Sequence, residues 1–150
     1  MGKFIYKLES ILTVKTKLED QAKSAYAVEK SQLNQEEDKL QQLLIRKEGY
    51  ETKLKDLVRS KLVLLDIKQC EDAIETMKYS IKIQQIVVAQ AKVRVDKARD
   101  VMQKAMIERK THEKLKENAF EEFVREMNQA EAKEIDQLNS FKYNNTNEDV

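Results

Sequence analysis

Cysteine and histidine, which often serve as nucleophile, general base or metal ligand, each occur once in this 150-residue sequence, as Cys70 and His112. His112-Glu113 is followed by Lys-Leu-Lys, so the zinc-protease pattern of two histidines around a glutamate is not formed. One histidine and one distant cysteine make neither a metal-ligand cluster nor a convincing pair of nucleophile and base. We expect His112 to be a partly exposed seam residue and Cys70 to be a small apolar residue at the edge of a seam. We expect no enzyme activity, no metal and no cofactor.

A run of charged residues, 108–117, offers chemistry of another kind, namely ion pairing with a second protein. Glu113 and Glu117 alternate there with Lys110 and Lys114 at the spacing of one helical turn. Such a run is most often a solvated helix face. The apolar stretch 62–65 is a second candidate, which could either close the end of a helical hairpin or dock a protein.

The elements that carry these residues are predicted by what the sequence lacks. It has no proline and only two glycines, Gly2 and Gly49, and 37% of its residues are charged. Proline and glycine mark turns, so a chain almost without them is expected to form long helices. The 28 basic and 27 acidic residues nearly balance, which argues against a nucleic-acid-binding protein. The lone cysteine and the short apolar runs favour a soluble cytoplasmic protein.

Apolar residues of the first half recur at intervals of three and four, the spacing of a coiled-coil seam. Lys15 interrupts the first stretch. An apparent phase slip between residues 26 and 33 predicts a stutter in the supercoil. The predicted seam consists of Phe4, Leu8, Ile11, Leu18, Ala22 and Ala25, followed by Leu33, Leu40, Leu43, Tyr50, Leu54 and Leu57.

The second half carries a more regular seam. One row is Ile74, Ile81, Val88, Val95 and Met102, and its companion row is Met77, Gln84, Ala91, Ala98 and Ala105. The seam weakens at Arg109, His112 and Lys116, and apolar residues return with a shifted phase at Leu115, Ala119, Phe120, Phe123 and Met127. We expect Phe120 and Phe123 to pack on Phe4, Tyr6 and Leu8.

A break between the seams is predicted at residues 60–66. Asp66 with Gln69 fits a capping box and Leu65 with Cys70 fits a hydrophobic staple, so we place the second helix start at Ile67. A single uninterrupted helix is the alternative, because no glycine marks the turn. The predicted fold is an all-α, long two-helix antiparallel coiled-coil hairpin forming one domain over residues 1–140. Its helices span about 3–59 and 67–139, roughly 85 and 110 Å long, and residues 141–150 form a flexible tail.

Several of these residues, taken in their order, resemble the FliJ family of flagellar type III export proteins. The opening Phe4-x-Tyr6-x-Leu8-Glu9-x-Ile11-Leu12, the run 108–117, Glu121-Glu122 and the ending Glu131-x-Lys133-Glu134-Ile135-Asp136 carry the resemblance. The chain departs from the family pattern at His112, where an aliphatic residue is usual, and at Gln137, where glutamate is common. It also lacks the usual glycine or polar loop at the turn.

The resemblance implies a coiled coil similar to the central stalk of rotary ATPases, with no catalytic activity of its own. It implies binding of the flagellar export ATPase, a FliI-type hexamer, through the end that carries both termini. Contacts with the cytoplasmic domain of the export gate (FlhA type) and with export chaperones are also implied, so the protein reaches the membrane only through its partners. The implied ring-facing residues are Phe4, Lys7, Leu8, Arg109, Lys110, Glu113, Lys114, Glu131, Lys133 and Asp136. The implied gate-facing residues are Leu43, Tyr50, Ala73, Met77 and Gln84.

Two other functions fit the same pattern. One is the equivalent stalk of a non-flagellar type III secretion system, which the sequence does not distinguish from the flagellar one. The other is a structural or holdase coiled coil that self-associates, because continuous seams can pair between chains as well as within one. The stalk interpretation predicts a monomer, and light scattering separates it from the self-associating alternative.

Overall fold

The computed structural model describes residues 2–60 and 63–148, with side chains up to residue 146, and this part of the chain forms two α-helices. Helix α1 spans Glu9–Ser60 and helix α2 spans Leu64–Glu148. The two helices pack against each other, which confirms the predicted all-α helical hairpin. Val63 is not helical, so the alternative of one uninterrupted helix is wrong. Residues 61 and 62 of the predicted turn lie outside the described residues.

Neither described helix has a stretch long and apolar enough to cross a membrane.

Helix α1 begins at Glu9 and not at residue 3, because aromatic packing holds the preceding segment in a non-helical path. The Phe4 ring lies against the rings of Phe120 and Phe123. The chain then turns at residues 7 and 8, where the Tyr6 carbonyl accepts a hydrogen bond from the Glu9 amide at 3.2 Å. Partial burial of the Phe4 ring offsets part of the cost of the helical hydrogen bonds that this segment gives up.

Helix α2 begins three residues before the predicted Ile67. The Val63 carbonyl accepts a hydrogen bond from the Ile67 amide at 3.1 Å, which places the first turn at Leu64. Asp66 therefore lies inside that turn, where its carboxylate complements the helix dipole. Leu65 is 65% exposed and cannot form the predicted staple with buried Cys70.

Helix α2 also ends later than predicted, at Glu148 and not near residue 139. No proline or glycine follows Gly49 in the sequence, so nothing breaks the helix within the predicted tail. The Thr146 hydroxyl donates to the Lys142 carbonyl at 2.8 Å, as in a helix interior. All residues from 128 to 146 are exposed.

Contacts divide the chain into two compact units. Unit 1 combines the described residues of Met1–Glu19 with those of Ala105–Val150. Unit 2 is built from the described residues of Asp20–Lys104. Each unit contains a part of α1 paired with a part of α2.

Unit 2 is held together by an apolar core. Leu33, Val88, Ala91 and Val95 form a buried cluster, with Tyr26 and Leu40 packed against it. Ala91 is fully buried, and its small side chain allows the close approach of the two helices. The predicted seam of α2 is confirmed here, because its described members in unit 2 are all buried or half-buried.

The predicted phase slip in α1 is wrong. The α1 residues that are buried or half-buried follow steps of three and four without interruption: Leu12, Lys15, Glu19, Ala22, Tyr26, Glu29, Leu33, Glu36, Leu40, Leu43, Lys47, Tyr50, Leu54 and Leu57. Four residues that we placed in the seam are exposed: Leu8, Ile11, Leu18 and Ala25. Long polar side chains can occupy seam positions because their methylene stems pack while their charged ends find partners.

The predicted phase shift of α2 in unit 1 is also wrong as far as Phe123. Arg109, His112, Lys116, Ala119 and Phe123 are all half-buried and continue the three-and-four spacing. Leu115 and Phe120, which we expected in the seam, are exposed at 46% and 49%. The seam of unit 1 thus keeps its geometry while polar residues fill it.

Candidate partner-binding surfaces

Arg109 is the centre of a polar network in unit 1. Its Nε donates to a carboxylate oxygen of Glu19, and its Nη1 donates to Glu113 Oε2 at 2.7 Å. Hydrogen bonds from Arg109 to Glu19 and then to Glu113 raise the pKa of the guanidinium above its ordinary value. Glu19 is only 3% exposed, so Arg109 neutralises a buried carboxylate. This network ties α1 to α2 through charge.

Two further ion pairs join the helices of unit 1. Lys15 Nζ lies 2.8 Å from Glu108 Oε2, and Lys116 Nζ lies 2.8 Å from Glu9 Oε2. The order of the partners shows that the helices run antiparallel here. The hydrogen bond from Lys15, followed by its charge, lowers the pKa of Glu108.

His112 lies in this polar seam between Glu108 and Lys116. It is half-buried, as expected for a seam residue, and its Nδ1 is buried without a hydrogen-bond partner among the described residues. Cys70, in unit 2, is a buried free cysteine, which agrees with the expected packing role. The described residues contain no group of three or more metal-ligating side chains.

An aromatic cluster completes unit 1. The Phe4 ring centroid lies 5.2 Å from that of Phe120 in an edge-on arrangement and 5.4 Å from that of Phe123. These are favourable aromatic geometries. The predicted packing of Phe120 and Phe123 on Phe4 is confirmed.

All ten residues predicted to face an ATPase ring lie in unit 1. They fall into two groups. Phe4, Arg109 and Glu113 are engaged in contacts within the chain. The others are exposed, and of these only Lys114 has an ion pair within the described structure, with Glu117 at 3.6 Å: Lys7, Leu8, Lys110, Lys114, Glu131, Lys133 and Asp136.

The five residues predicted to face the export gate lie in unit 2 and are all half-buried. Leu43, Tyr50, Met77 and Gln84 occupy seam positions. Gln84 Nε2 donates to the Glu36 carbonyl at 2.9 Å and to Glu36 Oε2 at 2.6 Å. The bond from Gln84 is the main cause that lowers the pKa of the Glu36 carboxyl. These side chains contribute mainly to helix pairing.

Sequence reasoning missed the polar partners on α1. Glu19 is the buried anchor of Arg109, and Glu29 pairs with Arg94 at 3.3 Å in unit 2. Tyr26 accepts a hydrogen bond from Arg99 at 3.4 Å, which lowers the pKa of the Tyr26 hydroxyl. The signal that could have found them is their strict three-and-four spacing with Leu12 and Leu33.

The apolar stretch at the end of the hairpin remains largely open. Val63 is 44% exposed, Leu64 is 82% exposed and Leu65 is exposed as well, while residue 62 lies outside the described part. Of the two roles left open for this stretch, its exposure favours docking over closing the hairpin.

Comparison with known proteins gives one result. The family model described as the flagellar FliJ protein matches residues 4–148. No curated protein and no solved structure matches the chain significantly. The family match contains every residue discussed above for unit 1, including Phe4 at its first position and Asp136 near its end. The chain therefore belongs to the FliJ family and is a component of flagellar type III protein export.

Proposed function

We propose that this protein is the stalk-like component that binds the hexameric export ATPase through unit 1 and promotes assembly or turnover of the ring. The observation that carries the proposal is a set of exposed charges on α2: Lys110, Glu131, Lys133 and Asp136. Within the described structure none of the four has an ion-pair partner, although neighbouring Arg109 and Lys116 do. Charges left without an intramolecular partner are available to a second protein.

Direct contact is assigned to the exposed group, which also includes Lys7, Leu8 and Lys114. Phe4, Arg109 and Glu113 have a supporting role, because they hold α1, α2 and the segment before α1 in place. Replacing a supporting residue would disturb the surface indirectly. Replacing an exposed residue would remove a contact and leave the hairpin intact.

Exposed ion pairs suit a component that must bind and release. Each contributes about 0–1 kcal/mol and is screened by salt, so several together give specificity without locking the complex. The absence of proline and of interior helix breakers in α2 keeps the surface on a continuous helix. The protein itself carries no catalytic role in this proposal and acts on the activity of its partner.

Contacts with the export gate and with export chaperones are assigned to unit 2. Leu43, Tyr50, Ala73, Met77 and Gln84 would offer only their exposed edges. A groove beside them, lined by Leu44, Lys47, Lys78, Tyr79 and Lys82 among others, has a volume of about 550 Å³ and supports this assignment. The proposal places the protein in the cytoplasm, at the inner face of the membrane through its partners.

A double charge reversal tests the ATPase contact. Lys110→Glu with Lys133→Glu changes two exposed groups of unit 1 that have no intramolecular ion pair in the described structure. We expect binding to the purified export ATPase, measured by calorimetry at low salt, to weaken at least tenfold while helicity by circular dichroism is unchanged. Stimulation of ATP turnover should fall in parallel.

The matched control is Lys82→Glu with Lys97→Glu, which reverses two exposed lysines of unit 2 and alters net charge equally. Binding by the control should stay within about twofold of the original protein. Equal weakening by both double variants would show a nonspecific effect of net charge. Unchanged binding by the unit 1 variant would overturn the assigned surface.

A further inference from the structure

Residues 2–8 form a non-helical strap that is anchored on α2 by one ring. Phe4 packs edge-on against Phe120 and at a 52° tilt against Phe123, which together form an aromatic socket. The backbone at Gly2 also lies against Phe123, since a Cβ atom there would be 3.9 Å from the ring. The strap thus covers apolar surface of α2 that would otherwise face solvent.

Apart from Phe4, the strap is weakly held. Ile5 is 77% exposed, and Lys3 and Lys7 are exposed without an ion pair to any described residue. The Tyr6 hydroxyl is buried but finds no hydrogen-bond partner within the described structure, which opposes the docked position. Among the described residues, strap carbonyls accept backbone hydrogen bonds only at Tyr6 and Leu8, both from the first turn of α1. Phe4, through its contacts with Phe120 and Phe123, is therefore the main anchor of the strap on α2.

The charges around the socket are complementary to those of the strap. A groove of about 740 Å³ is lined by the strap itself and by Ala119, Glu122, Phe123 and Glu126 of α2. Glu121, Glu122 and Glu126 have no ion-pair partner among the described residues. The strap sequence Lys3-Phe4-Ile5-Tyr6-Lys7 places two aromatic residues, Phe4 and Tyr6, between two lysines beside this acidic surface.

We propose that the aromatic socket is an interaction surface for a partner segment that presents an aromatic ring between basic residues. In the free chain the strap occupies the socket as an autoinhibitory contact, and the partner segment displaces it. The strap sequence is the template for the chemistry of that segment. The strap shares Lys7 and Leu8 with the ATPase contact proposed above, but the experiment below contains no ATPase, so it tests the socket separately from that contact.

A peptide with the sequence of residues 2–8 serves as the probe, and the full chain is the receptor. The Phe4→Ala variant removes the anchor and leaves the socket intact. We expect the peptide to bind this variant at least tenfold more tightly than the original chain, because the tethered strap competes at an effective concentration on the order of millimolar. Binding is followed by NMR shifts of the Phe120 and Phe123 ring signals.

Three comparisons make the test specific. Ile5→Ala changes an exposed strap residue, so that variant should bind the peptide like the original chain. A peptide with both lysines replaced by glutamate should lose binding to the Phe4→Ala variant. Phe4→Leu retains an apolar side chain, should keep the fold if Phe4→Ala does not, and should give an intermediate affinity.

The proposal fails if millimolar peptide leaves the ring signals of the Phe4→Ala and Phe4→Leu variants unchanged. It also fails if the original chain and the variants bind equally, or if the glutamate peptide binds as well as the lysine peptide. The socket could instead hold the strap of a second copy of the chain, and analytical sedimentation of the original chain tests this by measuring its oligomeric state. If the original chain is a dimer and the Phe4→Ala variant is a monomer, the socket holds the strap of a second copy. That result would contradict autoinhibition within one chain.

Discussion

Units 1 and 2 use the same helix-pairing geometry with a different balance of apolar and polar contacts. Unit 2 places Leu33, Val88, Ala91 and Val95 in a buried apolar cluster. Unit 1 places Glu19 and Arg109 in the corresponding seam, flanked by ion pairs of Lys15 with Glu108 and of Glu9 with Lys116. The comparison shows that a three-and-four seam specifies where side chains point and leaves open what holds the helices together.

The two chemistries differ in energy and in response to solution conditions. Burying an aliphatic side chain contributes about 1.5–3 kcal/mol and hardly depends on salt. A partly exposed ion pair contributes about 0–1 kcal/mol and is weakened by salt. Unit 2 is therefore expected to provide most of the stability. Unit 1 is expected to provide specificity and a surface that responds to its surroundings.

The largest effect is expected from truncation of the apolar core. Leu33→Ala removes a buried side chain from unit 2 and should lower the free energy of unfolding by about 2–4 kcal/mol. Urea unfolding followed by circular dichroism measures the change. Val93→Ala, at an exposed position of the same unit, is the control and should change stability by less than about 0.5 kcal/mol. Similar losses from both variants would contradict the assigned core.

A smaller effect is expected from breaking the central polar network of unit 1. Glu19→Ala leaves Arg109 without its buried partner and should lower stability by about 1–2 kcal/mol, less than Leu33→Ala. Because Arg109 keeps Glu113, part of its charge remains compensated. Amide hydrogen exchange should accelerate at residues 105–119 and stay unchanged at residues 81–95.

The control for this network is Glu75→Ala, which breaks an exposed pair with Lys78 one turn away. Its stability should match that of the original chain within about 0.5 kcal/mol. If Glu19→Ala were equally neutral, the buried pair of unit 1 would be structurally irrelevant and the contrast between the units would be lost.

The smallest effect concerns two carboxyl groups whose pKa values are lowered for different reasons. Glu108 interacts with the Lys15 cation, whereas Glu36 accepts a hydrogen bond mainly from the neutral Gln84 amide. Raising the salt concentration should move the pKa of Glu108 upward toward its ordinary value and move that of Glu36 less. NMR titration of the side-chain carboxyls at low and high salt measures both. Equal shifts would contradict the distinction.

The sign of the pH effect follows from the same groups. A carboxyl whose pKa is lower in the folded than in the unfolded chain stabilises the fold above its unfolded pKa. That contribution disappears as the pH falls through the lowered folded pKa. Lys15→Met should bring the pKa of Glu108 closer to its ordinary value and reduce this acid sensitivity, while leaving the pKa of Glu36 unchanged.

The sequence predicted α2 best where residue types and seam positions coincide. Ile74, Ile81, Val88 and Val95 could be assigned because each is apolar and each recurs after seven residues. The same criterion failed in α1, where Leu18 is apolar but exposed and Glu19 is charged but buried. The polar residues of α1 enter the seam because α2 supplies their partners, and such a partner is not visible in one helix alone.

Helix ends were predicted less well for a related reason. The start of α1 depends on where Phe4 finds the rings of Phe120 and Phe123, and these lie far away in the sequence. The start of α2 at Leu64 has no capping side chain that a local pattern could reveal. The candidate ATPase surface came from the family resemblance, and the structure adds which of its residues are exposed.

The most direct test of the central claim is hydrogen exchange of the chain with and without the purified export ATPase hexamer. We predict slower exchange in unit 1, within residues 105–136, and unchanged exchange in the unit 2 core at residues 81–95. Slower exchange confined to unit 2, or no change in either unit at saturating hexamer, would contradict the assignment of unit 1 as the ATPase-binding surface.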